Sequence, residues 1–188
     1  MIQNKTAPNL VWIDLEMSGL EPERDVILEI ATIVTGPNLE IMEEGPVLAV
    51  HQNGNILNSM DDWNTRHHTQ SGLVDRVRHS AYSCADAEAL TLEFIKKYTF
   101  ERKNLLCGNS ITQDRRFLYK YMPKISNWLC YRSIDVTSVK ELAFRWFPNL
   151  PEFEKQERHQ ALDDIRESIA ELEYYKKTIF HLAPNKKG

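Results

Sequence analysis

Three strand-forming segments follow one another before any helix begins, and that order restricts the folds open to this chain. Asn9–Leu15 (NLVWIDL) is a short apolar strand, Val26–Thr35 (VILEIATIVT) is a β-branched run, and Ile41–Val50 supplies a third strand. Gly36-Pro37-Asn38 marks a turn between the second and third. Short links between three strands predict an antiparallel meander. Alternation then sets in, with a helix over Ala85–Tyr98, a buried strand at Leu105–Cys107 that ends in Gly108-Asn109-Ser110, and a helix over Thr112–Met122 stopped by Pro123. A short strand at Ser133–Val136, a helix over Val139–Trp146 and a long final helix over Gln160–Phe180 complete the reading. A meander followed by alternating helices and strands predicts an α/β fold, a mixed five-stranded sheet of the ribonuclease H-like kind flanked by helices. A Rossmann-type fold is disfavoured, because no G-x-G-x-x-G follows the first strand.

The chain has 188 residues without repeat or linker, which predicts a single domain with its core between about residues 9 and 180. Hydrophobic residues at 42% and charged residues at 27% are the proportions of a globular protein able to bury a core without disulfides. Cys84, Cys107 and Cys130 form no C-x-x-C pair, so neither a zinc knuckle nor a redox motif is expected. Scattered thiols, no apolar leader over Met1–Asn9 and no run of membrane-spanning length together predict a cytoplasmic protein with no membrane partner. The net charge of −4 argues against a protein that coats long nucleic acids, but leaves room for an enzyme touching a few phosphates.

Asp14 and Glu16 stand at i and i+2 at the end of the first strand, so both point to one face, with Trp12, while Ile13 and Leu15 point to the other. Adjacent carboxylates repel unless a cation lies between them; taken alone, a solvated strand end explains the pair more simply. Asp114 falls in the first turn of a helix, where the helix dipole would favour any acid. In the last helix, Leu162, Ile165, Ile169 and Leu172 form one stripe at 100° per residue. Asp164 lies at its edge and Asp163 nearly opposite its centre, so Asp164 is the better candidate for an acid held against the core and Asp163 for a solvated residue or an N-terminal helix charge. His159 precedes that helix, free to face the same cleft. Together these are oxygen ligands of the type Mg²⁺ and Mn²⁺ take. Two such ions can clamp the attacking and leaving oxygens of a phosphodiester.

Asp14-x-Glu16, Asp114 and His159-x-Ala161-x-x-Asp164 resemble the three motifs of the DEDD exonucleases, in the branch whose third motif carries histidine. The segments WIDLEMSGL, MDDW, CGNSITQDRRFLYKYMP, YRSIDVTSVKELA and HQALDDIRESIAELEYY extend the resemblance from about Asn9 to Phe180, within the members that degrade very short RNA. The resemblance implies a homodimeric 3′-to-5′ exoribonuclease acting on short single-stranded RNA. It implies that Asp14, Glu16, Asp114 and Asp164 hold two divalent ions, Mg²⁺ or Mn²⁺, and that His159 is the general base. It further implies that Leu20 and Trp63 contact bases, and that His68, Ser110, Gln113, Tyr131 and Arg132 contact phosphates or substrate ends, some from the partner subunit. Tyr131 is counted with the catalytic residues on the same ground.

The residues themselves support parts of this. Trp63 is an aromatic in a polar stretch, as a stacking platform would be, although core capping explains a tryptophan equally well. Arg132 beside Tyr131 suits a phosphate fork, while Arg115 and Arg116 fit an exposed helix face as readily. Two rivals remain at this stage. A nuclease of the same type acting on DNA or on longer RNA would carry the same acids; a binding module that had lost catalysis would lack at least one.

Overall fold

The computed structural model describes residues 7–154 and 161–180. Strand β1 (Leu10–Met17) runs antiparallel to β2 (Ile27–Thr35), which pairs with β3 (Ile41–Glu44) and β4 (Leu48–Ala49). After helices α1 (Gly54–Asn58), α2 (Asp62–Gln70), α3 (Leu73–His79) and α4 (Cys84–Lys96), β5 (Leu105–Gly108) lies parallel to β1. Helices α5 (Thr112–Tyr121) and α6 (Pro123–Trp128) lead to β6 (Ser133–Asp135), parallel to β5, and α7 (Val136–Trp146) and α8 (Ala161–Thr178) follow. The sheet order is β3-β2-β1-β5-β6, with β4 beside β2.

The sheet has six strands rather than the expected five, because Gly45 and Pro46 cut the predicted third strand in two. Proline cannot donate to the ladder, and Gly45 sits where a Cβ would come within 2.6 Å of the Phe94 ring. Pro123 stops α5 as read but also opens α6 at its first turn, where its missing N–H costs nothing. Helix α7 starts three residues earlier than the pattern suggests, since the Asp135 carboxylate accepts from Thr137 N at 3.0 Å and caps it. The helices between β4 and α4 are absent from the sequence reading. Only His68 of α2 is buried, so α2 has no apolar stripe to read, and its start is set by Asp61 accepting from Asn64 N at 2.7 Å.

Strand β1 feeds two cores. Val11, Ile13 and Leu15 pack with α4, α5 and α6 residues on one side of the sheet, while Trp12 packs with Ile33, Cys107, Ile165 and Ile169 on the α8 side. A smaller cluster of Leu28, Leu57, Leu73 and Val77 seats α1 and α3. No helix among the described residues is long and apolar enough to cross a membrane.

Candidate active site

The acids emerge where the α8-side core ends. Asp14 stands opposite Ala31 and Glu16 opposite Glu29 across the β1–β2 ladder, with a bulge just beyond Glu16. Asp14, Glu16 and Asp164 each offer a carboxylate oxygen within 4.8 Å of the others. Asp164 arrives from the first turn of α8, and Asp163 turns away to pair with Arg166 at 2.6 Å. Arg166 is itself forked onto Glu44 of β3 at 3.0 and 2.7 Å. Asp164 joins the cluster, while Asp163 is not simply solvated as its helical phase suggests but half-buried in its pair with Arg166. Asp114 is buried, and one of its oxygens accepts from Leu15 N at 3.0 Å, tying the start of α5 to β1.

This packing is electrostatically unfavourable for a protein without a bound cation. Burial, and then the charges of Asp114, Glu16, Asp164 and Glu29, hold the Asp14 carboxyl well above the usual carboxylate range. Glu16 is pushed up to about 7, first by burial and then by Asp164, Glu29 and Asp114, against the opposing pull of Arg76. Burial also raises Asp114 to about 7, although hydrogen bonds from backbone N–H groups of Leu15 and of Asp114 itself resist the shift. A pocket of oxygen ligands that cannot all ionise unaided fits a hard divalent cation, which would neutralise them together.

Two residues missed by the sequence reading complete the surroundings. Glu29 is 2% exposed near the start of β2, and Arg76 from α3 grips it through Nε at 3.1 Å and through Nη2 at 3.0 Å to the same oxygen. A lone acid inside a β-branched run was the available signal, since an unpaired buried charge is rare; nothing in the sequence pointed to Arg76.

The residues implied to contact substrate divide into three groups. Leu20 and Trp63 are 64% and 60% exposed and line one cavity of about 670 Å³ with Ser18, Glu21 and Asn64. The Trp63 ring stacks on His67 with centroids 4.8 Å apart. His68 is buried instead. Met17 O can only accept, so Nε2, 2.9 Å away, carries the hydrogen, and Nδ1 turns its lone pair toward Glu16 Oε2 at 3.8 Å. Burial lowers the affinity of this ring for a second proton. Ser110 adopts a left-handed φ of 50°, held by its N–H donating to Asp135 and Thr137 at 3.0 and 2.9 Å. Gln113 spends its amide on the Leu20 carbonyl. Tyr131 is 85% exposed with Arg132 over its ring at 5.9 Å, so the pair projects away from its own core. His159 lies outside the described residues. A separate cavity of about 360 Å³, walled by Phe144, Phe147, Phe153 and Tyr175, includes none of the acids.

A ribonuclease H-like sheet with clustered carboxylates at the end of its first strand defines an exonuclease domain. Residues 11–172 match the RNase_T exonuclease family. The fold is shared with exonuclease I of E. coli in complex with a 5cy-dT13 oligonucleotide, at a TM-score of 0.69 and 16% identity, over 92% of this chain and 41% of that one. Exonuclease I from Methylocaldum szegediense gives a TM-score of 0.68 at 17% identity, over 92% of this chain and 41% of that one. Sequence likeness is far greater to the oligoribonuclease of Pseudomonas savastanoi pv. phaseolicola, 59% identical over 93% of this chain and 97% of that protein. The oligoribonuclease of Pseudomonas aeruginosa PAO1 is 57% identical over 89% of this chain and 94% of its own length. The chain belongs to the oligoribonuclease family.

Proposed function

We propose that the cluster of Asp14, Glu16, Asp114 and Asp164 hydrolyses the 3′-terminal phosphodiester of RNA a few nucleotides long. The enzyme is a hydrolytic 3′-to-5′ exoribonuclease of short RNA, as its family membership and exonuclease domain establish. The observation that carries the site assignment is the convergence of Asp14, Glu16 and Asp164 oxygens within 4.8 Å.

The four acids would hold two divalent ions, Mg²⁺ or Mn²⁺, which supply positive charge to the phosphate oxygens and make a bound water acidic. Asp114 stands outside the group of three whose oxygens converge, but it is held by Leu15 N, between Asp14 and Glu16, and its charge acts on Asp14, which supports counting it as the fourth ligand. His159 accepts the proton of the attacking water; its ordinary pKa near neutrality suits that task. Leu20 and Trp63 take the bases in the cavity they share, the apolar side chain and the ring offering stacking surface without base selectivity. Ser110, Tyr131 and Arg132 are left to meet the ends of the substrate, since His68 is buried behind Glu16 and Gln113 donates to the Leu20 carbonyl. The exposure of Tyr131 supports a homodimer in which it reaches the partner's cleft. The protein works in the cytoplasm.

A time course on 5′-labelled RNAs from two to about twenty nucleotides, with Mn²⁺ and then with chelator, tests the proposal. Mononucleotide release confined to the short substrates and abolished by chelator is expected. Equal turnover of the long strands, or of DNA, would transfer the site to a broader exonuclease.

A further inference from the structure

The loop from Ser18 to Asp25 joins β1 to β2, carries Leu20, and is held by one face of α5. Gln113, Arg116, Lys120 and Tyr121 recur at i, i+3, i+7 and i+8, the spacing of a single helical face. Gln113 Nε2 and Arg116 Nη1 both donate to the Leu20 carbonyl oxygen, the second at 3.4 Å. Arg116 also donates to Gln113 Oε1 at 2.8 Å and pairs with Glu21 at 3.4 Å. Lys120 Nζ donates to Pro22 O at 2.7 Å and to Glu23 at 3.1 Å. The Tyr121 hydroxyl lies 2.9 Å from Pro22 O and 2.8 Å from Asp25 O. Asp25 closes the loop from within, accepting from Glu21 N at 2.9 Å, and Gly19 packs so tightly against this carboxylate that a Cβ would come within 2.4 Å of it.

Exposed ion pairs of this kind contribute little to stability one by one. What distinguishes the set is that Leu20, Pro22 and Asp25 present backbone carbonyls to it, and carbonyls accept in fixed directions. Arg116 and Lys120 are committed to the loop's own carbonyls and acids, which leaves them poorly placed to serve as phosphate contacts. The same helix carries Asp114 in its first turn. A single rigid element therefore holds both a carboxylate of the cleavage site and the loop that bears the exposed leucine.

We propose that Gln113, Arg116, Lys120 and Tyr121 are positioning residues that fix Leu20 at a set distance from Asp114, and thereby make turnover depend on a base next to the scissile bond. This rests on the reading above that Leu20 contacts substrate bases.

Two substrates separate this role from a merely structural one. A diribonucleotide offers a second base, whereas the p-nitrophenyl ester of a ribonucleoside 5′-monophosphate presents a phosphodiester with only one. Arg116→Met and Tyr121→Phe, the latter keeping the partly buried ring, are compared with the unaltered protein under Mn²⁺, with thermal unfolding recorded for each. The dinucleotide kcat/KM is expected to fall about tenfold or more while the ester changes by less than about twofold, as for a loss of substrate alignment. Parallel losses on both substrates, or no loss on either, would overturn the inference. Leu20→Ala supplies the reference, since it should lower the same dinucleotide-to-ester ratio. If it does not, the base-contact reading fails and the inference with it. If it does while the α5 variants leave the ratio intact, the positioning role alone is wrong.

Discussion

Glu29 stands directly across the β1–β2 ladder from Glu16, and Arg76 holds its charge from the far side. Two acids facing each other on one sheet face are destabilising unless one is compensated. Arg76→Met is therefore expected to lower the stability of the metal-free protein by about 1–3 kcal/mol, less than a fully buried pair would lose because Arg76 is half-exposed. Adding Glu29→Gln to that variant should recover most of the loss. Urea denaturation of both variants checks this; equal stability of the single and double variants would show that the pair does not compensate Glu29.

Neutralising one site acid should help the fold and end the chemistry. Asp14→Asn removes a carboxyl whose ionised form is opposed by burial and by four neighbouring acids, so the metal-free variant should melt at a higher temperature than the parent. The parent should gain up to about 3 kcal/mol at saturating Mn²⁺, and the variant far less, with turnover nearly abolished. Glu16→Gln, Asp114→Asn and Asp164→Asn should also be nearly inactive. Asp163→Asn should be much milder, because Asp163 pairs with Arg166 and stands outside the converging group of acids among the described residues.

Without metal, stability should fall as the solution becomes less acid. Glu16 moves from an ordinary value of 4.5 up to about 7 on folding, and Asp14 and Asp114 move in the same direction. Across that window the folded chain binds more protons than the unfolded one, so the contribution of these groups is complete below about pH 4.5 and is lost as pH rises through about 7. Saturating Mn²⁺, which needs the ionised carboxylates, should reverse the slope. Melting curves from pH 5 to 8, with chelator and with Mn²⁺, read both slopes; identical slopes would count against the carboxylates as ligands.

His159→Ala is expected to lower turnover by about two to four powers of ten, the range for a lost general base, without a matching loss of melting temperature. The acidic limb of the pH–rate profile should disappear with it. An unchanged profile would remove His159 from the proton-transfer step.

Subunit mixing tests the placement of Tyr131. Asp14→Asn and Tyr131→Ala proteins, each nearly inactive, are unfolded together and refolded, so that about half of the dimers proposed above should be mixed by random pairing. One working cleft should return per mixed dimer, formed by the intact acids of one subunit and the intact Tyr131 of the other. Mixed dimers without activity would confine Tyr131 to its own subunit.

Much of the site was legible because strands and helices impose a phase. Alternation along β1 separated Asp14 and Glu16 from Ile13 and Leu15, and 100° steps along α8 separated Asp164 from Asp163. What alternation cannot express is a partner far along the chain. The bond from Leu15 N to Asp114, the grip of Arg76 on Glu29 and the hold of α5 on the Leu20 loop each join residues tens of positions apart. Helices α1 to α3 escaped because each is short and buries only one or two side chains, too few for a repeating period, with Asn53 and Asp61 capping the first two. His68 was read as a substrate contact from resemblance, and its burial behind Glu16 is a tertiary fact that the polar segment around it conceals.

Strand β1 has no solvent-facing side along most of its length, since alternate residues enter two different cores. Its side chains can therefore be exchanged for others of similar size more safely than its spacing can be altered. Deleting one residue between Leu10 and Ile13 would shift the phase of everything before the gap relative to Asp14 and Glu16. Either the apolar residues would trade cores, or the two carboxylates would be driven under α5 and away from Asp164. The reading frame of side chains along this strand thus couples hydrophobic burial to the assembly of the acid cluster, so that tolerance to substitution and intolerance to length change should coexist within the same eight residues.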